Sequence, residues 1–270
     1  MKFAVVLPAG PHRQVFAEVV EALYASLIEL GHDVVTDFDI VASRRNIVLA
    51  PHLLELTRIQ LLPMDTIVWN FEPRGGPSFG QSIYYFAQPN VEVWDYAQAT
   101  TDYLRVFGVR AKFMPLLYSS AVRRGWASSE RERDIDVVFV GSMSRRRLHI
   151  IDSLIDRGVA VANIFGVYGA ERDLLLARAK VLLNVHYYDF SPNEDTRLTY
   201  AITNSLAVSS EGPPDEPRKL GWAHYVPYDS LVESTVDLVH SGGWRQQAEA
   251  GYEAFRSGKT MTQVLKEALP

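Results

Sequence analysis

The sequence predicts an α/β protein made of two tandem β/α/β domains, residues 1–120 and 121–270, facing each other across a central cleft. Three observations predict this class. Short continuous apolar runs of strand length alternate with stretches of helical spacing, the pattern of parallel sheets covered by helices on both faces. Glycine follows several of the helical stretches, where a left-handed residue commonly ends a helix. Periodicity then fails in the polar segment "YSSAVRRGWASSERERD" and restarts with a new apolar run, which divides the chain there.

In the first domain "KFAVVLPAG" reads as a buried strand ending in Pro-Ala-Gly. A helix follows from about Gln14, with Phe16, Val19, Val20, Leu23, Leu27 and Leu30 at helical spacing and Gly31 as its stop. "HDVVTDF", "NIVLAP", "DTIVWNFEP" and "VEVWD" are four further strands bounded by turn residues. Between the last two, "EPRGGPSFGQS" reads as a mobile loop. "YAQATTDYLRVFG" is a helix with a glycine stop, and "AKFMPL" is the closing strand.

The second domain opens with the strand "DVVFVG" and the helix "SRRRLHIIDSLIDRG", whose buried face is set by Leu148, Ile151 and Ile155. "VAVANIFG", "ERDLLLARA" and "KVLLNVHYY" continue as strand, helix and strand. In "SPNEDTRLTYAITNSLAVSSE" a helix is followed by the strand "LAVSS". Ser191 and Glu194 have the spacing of a capping box, Pro192 suits the first helical position, and Leu198, Ile202 and Leu206 form the buried stripe. The other stripe carries Glu194, Arg197, Ala201 and Asn204, a carboxylate, a guanidinium and an amide on one face. "EGPPDEPRKLG" is a rim loop and "AHYVPY" a last strand; helices near Ser230–His240 and Trp244–Leu265 finish the chain, the last packing back on the first domain.

Composition narrows the function. The 47% apolar and 22% charged residues of this 270-residue chain are those of a soluble globular protein. A net charge of −5 argues against sequence-independent nucleic-acid binding, which needs basic surface. With no cysteine there is no disulfide, thiolate metal site or cysteine nucleophile. No apolar run reaches the ~20 residues that span a bilayer, and the start is a poor signal peptide, so the expected location is the cytoplasm. Asp37-Phe38-Asp39 has the spacing of a metal-binding D-x-D but ends a strand of the first domain and reads as surface charge; no metal site is expected.

The segments "DVVFVGSMSRRR", "FGVYGAERDLLLARAKVLLNVH" and "EDTRLTYAITNSLAVSSE" resemble the donor-binding domain of bacterial group-1-type glycosyltransferases of the GT-B fold, which have two Rossmann-like domains. "LIELGHDVV" and "VWDYAQATTDYLRVFG" fit the acceptor-side domain more loosely. The resemblance implies transfer of a sugar from a nucleoside-diphosphate sugar to an acceptor hydroxyl, on a saccharide, a lipid-linked carrier or a small molecule. It implies no further cofactor and no required metal. Two departures stand out: the family's helix carries a glutamate, which commonly holds the ribose, where this chain has Tyr200, and a glycine where it has Ser205. A sugar-nucleotide epimerase or phosphorylase on the same fold, or a non-catalytic sugar-nucleotide-binding subunit, are the alternatives.

The donor-side candidates follow. Gly141 and Ser142 form a turn at which backbone N–H groups can approach a phosphate, or an ordinary βα turn. Of Arg145, Arg146 and Arg147, Arg145 is the choice for the diphosphate, and Arg197 is the stronger candidate, since a guanidinium fork fits phosphate oxygens. His186 reads either as a ligand contact or as a structural hydrogen-bonder, Glu194 as a cap or a ligand, Asn204 as a donor contact, and Glu211 as a residue facing the ribose. On the acceptor side His12 and Glu72 are rival general bases for an inverting transfer.

Overall fold

The computed structural model describes residues 1–270 except 12, 56, 59–61, 129–131, 190–193, 215 and 270. Two compact units result, residues 1–121 with 260–270, and residues 122–259.

The first unit carries a parallel sheet of six strands among the described residues. In chain order its elements are β1 (Lys2–Val6), α1 (Ala17–Glu29), β2 (Asp33–Asp37), β3 (Arg45–Leu49), β4 (Thr66–Asn70), α2 (Pro77–Phe86), β5 (Val91–Asp95), α3 (Gln98–Val106) and β6 (Ala111–Phe113). The strand order is β2-β1-β3-β4-β5-β6. Alternation along β1 explains why it reads as an unbroken apolar run. Phe3 and Val5 enter one core with α1 and the C-terminal helix (Met261–Ala268), while Ala4 and Val6 enter the other with α2 and α3.

The second unit is a parallel sheet of five strands among the described residues, ordered β11-β10-β9-β7-β8. Its elements are β7 (Ile135–Val140), α4 (Arg145–Asp156), β8 (Val161–Ile164), α5 (Gly169–Leu176), β9 (Ala179–Asn184), α6 (Asp195–Thr203), β10 (Ala207–Glu211), β11 (His224–Val226), α7 (Leu231–His240) and α8 (Trp244–Arg256). The α/β class of two parallel-sheet domains is thus as the sequence implies.

Four local expectations are corrected. The glycine- and proline-rich segment after β4 is not a loop throughout: Pro77 starts α2, which buries Phe79, Ser82, Tyr85 and Phe86. On α4 Leu148 and Ile155 are exposed, and the inward face is Arg147, Ile150, Ile151 and Leu154. The last helical stretch is two helices. They are parted at Ser257–Lys259, and Thr260 caps the second by exchanging hydrogen bonds with Gln263.

The fourth correction concerns α6. Ser191 and Pro192 lie outside the described residues. The helix starts at Asp195, so Glu194 is itself the N-cap residue and makes no side-chain cap bond. Its carboxylate has other partners, described below. The expected stripe of Leu198, Ile202 and Leu206 is buried, but so are Ala201 and Asn204 on the other side, because β10 and α8 both pack on this helix.

Candidate functional site

In a parallel α/β sheet the loops on either side of a reversal in strand order leave the strands' C-terminal ends in opposite directions and open a crevice. In the second unit this point lies between β7 and β9. Gly141 follows β7, and Asn184 and His186 end or follow β9, so the crevice is lined by residues the sequence singles out.

Arg197 reaches this point from the first turn of α6. Its Nη1 donates to Asn184 Oδ1 at 2.8 Å, and its guanidinium carbon sits 5.2 Å from the centre of the Phe139 ring. A Cβ on Gly141 would lie 2.8 Å from Arg197 Nη2, and Gly141 has a φ of +147°. Glycine is therefore required twice here, for backbone and for space. Asn184 is oriented in turn by its bond to Ser210 Oγ, 3.1 Å away.

Arg147 is almost wholly buried and fully engaged. Its Nε donates to Val185 O at 2.8 Å, Nη1 to Ser142 O at 2.8 Å and Nη2 to Glu194 Oε1 at 2.9 Å. Glu194 Oε2 meets His186 Nδ1 at 3.0 Å. Arg146 grips Glu211 with two nitrogens, at 3.0 and 2.6 Å, donates to His186 O and lies over the Tyr228 ring. Glu211 also accepts from the backbone N–H of His186 at 3.0 Å. Arg145, the guanidinium preferred from sequence, is exposed and has no side-chain partner among the described residues.

Among the described residues the three inward arginines thus differ. Arg146 and Arg147 hold the loops after β7, β9 and β10 together, whereas the Nε and Nη2 of Arg197 have no hydrogen-bond partner among the described residues, and Nη2 lies in the space left by the missing Cβ of Gly141. Burial pushes the Arg197 pKa down to about 10, with Arg147 adding repulsion against the attraction of Glu194. Burial opposes ionisation of Glu194, but its bond to His186 and the charges of Arg197, His186 and Arg147 win and pull its pKa down to about 2. The result is a charged crevice with one guanidinium face left over for an anion.

Asn204 has no part in this. Its Oδ1 accepts from Arg124 N at 2.7 Å, and its Nδ2 donates to Val122 O and Tyr200 O, so the amide locks the end of α6. Tyr200 is likewise held. Its hydroxyl donates to the Asp173 carboxylate at 2.8 Å while Arg172 lies 4.3 Å from its ring centre.

In the first unit the corresponding reversal lies between β1 and β3. His12 falls outside the described residues. Glu72, just past β4, has its carboxylate 3.6 Å from His52 Nε2, a neighbour that sequence reasoning missed. Burial lowers the His52 pKa to about 4 and raises that of Glu72, which a hydrogen bond from Ser78 partly offsets. Asp37 accepts from the backbone N–H groups of Phe38 and Asp39, and Asp39 pairs with Arg58. Among the described residues no group of three or more His, Cys, Asp or Glu is placed to hold a metal, and no helix is long and apolar enough to cross a membrane.

These shifts give a pH prediction. The unfolded chain takes up a proton at His52 near the ordinary value of 6.5, whereas the folded chain resists until about 4. Stability therefore falls as pH drops from 6.5 to 4, by about 3 kcal/mol for this group, and Glu194 adds a second loss as pH falls further towards 2. Urea titrations across this range should show both steps, and H52N should remove the first only.

No family model matches the chain. Two uncharacterized proteins of Acanthamoeba polyphaga mimivirus are 37% identical over 113 residues (40% of this chain, 13% of the relative) and 33% identical over 116 residues (41% and 38%). The chain spans well under half the length of the curated relatives it matches. Solved structures align over nearly the whole chain. A sucrose-phosphate synthase from Thermosynechococcus elongatus matches with a TM-score of 0.62 at 9% identity, covering 99% of this chain and 97% of that one. An alpha-glucosyltransferase, solved with UDP and a 13-mer DNA, matches with a TM-score of 0.66 at 8% identity, covering 99% and 98%. A UDP-N-acetylglucosamine 2-epimerase matches with a TM-score of 0.53 at 10% identity, covering 100% and 96%. At these identities the likeness is one of fold, and the fold is GT-B.

Proposed function

We propose that this protein is a glycosyltransferase that moves a sugar from a nucleoside-diphosphate sugar to an acceptor hydroxyl, with the donor's diphosphate held in the second unit by Arg197. The observation that carries the reading is the guanidinium of Arg197, braced by Asn184 and Phe139 and presented with unengaged N–H groups to the space that Gly141 leaves open. Breaking a sugar–diphosphate bond builds negative charge on the leaving oxygens, and a preorganised guanidinium in a partly dry crevice stabilises that charge without having to reorient. Arg147 and the first turn of α4 lie beside it and add to the positive potential, while Glu194 and Glu211 keep the other two arginines in place.

Two of the solved structures with this fold, a sucrose-phosphate synthase and an alpha-glucosyltransferase solved with UDP, agree with the reading in class by their names. The epimerase among them shares the fold as well; it would need the same hold on a diphosphate but no acceptor. The test is a thermal-shift panel of UDP-, GDP- and dTDP-sugars with the free diphosphates alongside. A ligand bound only by the native state raises the melting temperature. A rise with one nucleotide series, and release of that nucleotide dependent on an added hydroxyl compound, is the expected result. No shift with any of them refutes the reading, and release with free sugar as product and no acceptor favours the epimerase.

A further inference from the structure

In the first unit a cavity of about 250 Å³ opens at the C-terminal ends of β1 and β2, beside the start of α1. β2 is the edge strand of its sheet, and the bond from Leu7 N–H to Asp37 O, 3.0 Å long, ties the two strand ends together. Alternation sends Val5, Leu7 and Thr36 to the α1 side, where Ala17 and Val20 are too small to fill the space. Along α1 the cavity runs on into a more open groove, which shares Ala17, Val20 and Thr36 and reaches Tyr24 and Val34.

Four polar side chains converge on this apolar space: Arg13, Gln14, Thr36 and Asp37. The half-buried guanidinium of Arg13 lies 4.4 Å from the centre of the Phe38 ring, and no acceptor among the described residues takes its N–H groups. The Asp37 carboxylate is held by one oxygen only. Its Oδ1 accepts from the backbone N–H groups of Phe38 at 2.6 Å and Asp39 at 3.1 Å, while Oδ2 has no partner among the described residues. Asp39, the other acid of the D-x-D sequence, is drawn away to Arg58 at 2.6 Å.

Arg13 and Asp37 thus line one cavity without pairing with each other, so the ligand that suits both carries two opposite charges. A sugar ring does not suit the walls of Val5, Leu7, Ala17 and Val20, because hydroxyls buried against them stay unpaired. A phosphate is repelled by Asp37, and a simple amine leaves Arg13 unmet. We propose that this cavity binds a free α-amino acid with an apolar side chain. The fork of Arg13, steadied by the Phe38 ring, takes the carboxylate; Asp37 Oδ2 and Thr36 Oγ1 take the ammonium; the side chain lies among the apolar walls towards the groove. Pockets for drug-sized ligands run to about 300–1,000 Å³, so the smaller volume here suits a single amino acid. The proposal stands apart from the nucleotide reading of the second unit.

The test is calorimetry on the whole chain with leucine, phenylalanine and glycine, alongside N-acetyl-leucine, which lacks the ammonium, and leucinamide, which lacks the carboxylate. Leucine and phenylalanine should bind, and glycine about tenfold or more weaker, since each buried methylene is worth about fourfold in affinity. Removing either charge should weaken binding roughly 10- to 150-fold, the worth of a charge-assisted hydrogen bond. Two variants assign the ends of the site. Arg13→Gln should bind leucine no better than leucinamide, and Asp37→Asn should bind leucine no better than N-acetyl-leucine. Each comparison is made between ligands within one variant, so a general loss of stability does not imitate it. No binding of leucine or phenylalanine at millimolar concentration overturns the proposal. So does leucinamide or N-acetyl-leucine held as tightly as leucine, or a pair of variants that keep the wild-type preferences.

Discussion

Gly141→Ala should weaken binding of the nucleoside diphosphate about 10- to 100-fold while the protein stays folded. The added methyl would sit 2.8 Å from Arg197 Nη2, well inside contact distance, and the backbone at φ +147° resists a side chain as well. The guanidinium is the more mobile partner, so it gives way. Leaving its place breaks the 2.8 Å bond to Asn184 and the stacking on Phe139, the two contacts that aim it. Arg197→Ala should cost at least as much, because a charge-assisted hydrogen bond is worth about 1.5–3 kcal/mol, or roughly 10- to 150-fold in affinity. Arg197→Lys should not restore binding, since an ammonium cannot hold Asn184 and a phosphate with one rigid fork. Calorimetry with the diphosphate that scores in the thermal-shift panel measures all three. Unchanged affinity in both G141A and R197A would reduce Arg197 to a brace for Asn184 and Glu194.

That the fold class is legible follows from where its strands sit. β1, β3, β4, β7 and β9 are buried on both faces, so they read as short continuous apolar runs. The helices are less legible where an inward residue is polar. Arg147 occupies the buried face of α4, so an apolar stripe placed on Leu148, Ile151 and Ile155 is rotated by about one position from the true one. The clue was present: Arg147, Ile150, Ile151 and Leu154 have the required spacing if an arginine is admitted to the stripe. The start of α2 was hidden differently, since Gly-Gly-Pro-Ser marks a turn as readily as the proline-led first turn of a helix.

At the candidate site, sequence spacing names residues that the fold brings together but not all of their partners. Gly141, His186, Glu194, Arg197 and Glu211 converge in the second unit. The capping-box expectation rests in part on Ser191, which lies outside the described residues, and long-range pairing is what the Glu194 carboxylate shows, since Arg147 and His186 both present donors to it. His52 is not singled out by sequence because one histidine in "NIVLAPH" looks like a surface loop residue. Its significance comes from the left-handed turn at Ala50 and from Glu72, twenty positions on, neither of which spacing reveals.

Breaking the ion pair beneath α6 should have the largest effect on stability. Lys219 and Asp195 are both wholly buried, with Nζ and Oδ1 2.5 Å apart, and Arg218 Nη2 approaches the other carboxylate oxygen at 3.3 Å. Asp195 is the first residue of α6 and Lys219 ends the 3-10 turn Pro217–Lys219, so the pair ties that turn to the helical turn from which Arg197 projects. Taking a lysine and an aspartate wholly out of water is expensive, and their attraction in the interior returns about what desolvation removes. Removing one partner is another matter, because the survivor stays buried. Lys219→Ala should lower stability by about 3–5 kcal/mol, read from urea unfolding. The double variant Lys219→Met with Asp195→Leu should recover most of that loss, as matched apolar groups often do. It should not recover diphosphate binding in full, because an apolar contact fixes the first turn of α6 less sharply than a charged one with directional bonds. Full recovery of both would make the pair a matter of stability alone, and a double variant as unstable as the single one would mean that the cavity is too tightly shaped around these two side chains to accept any others.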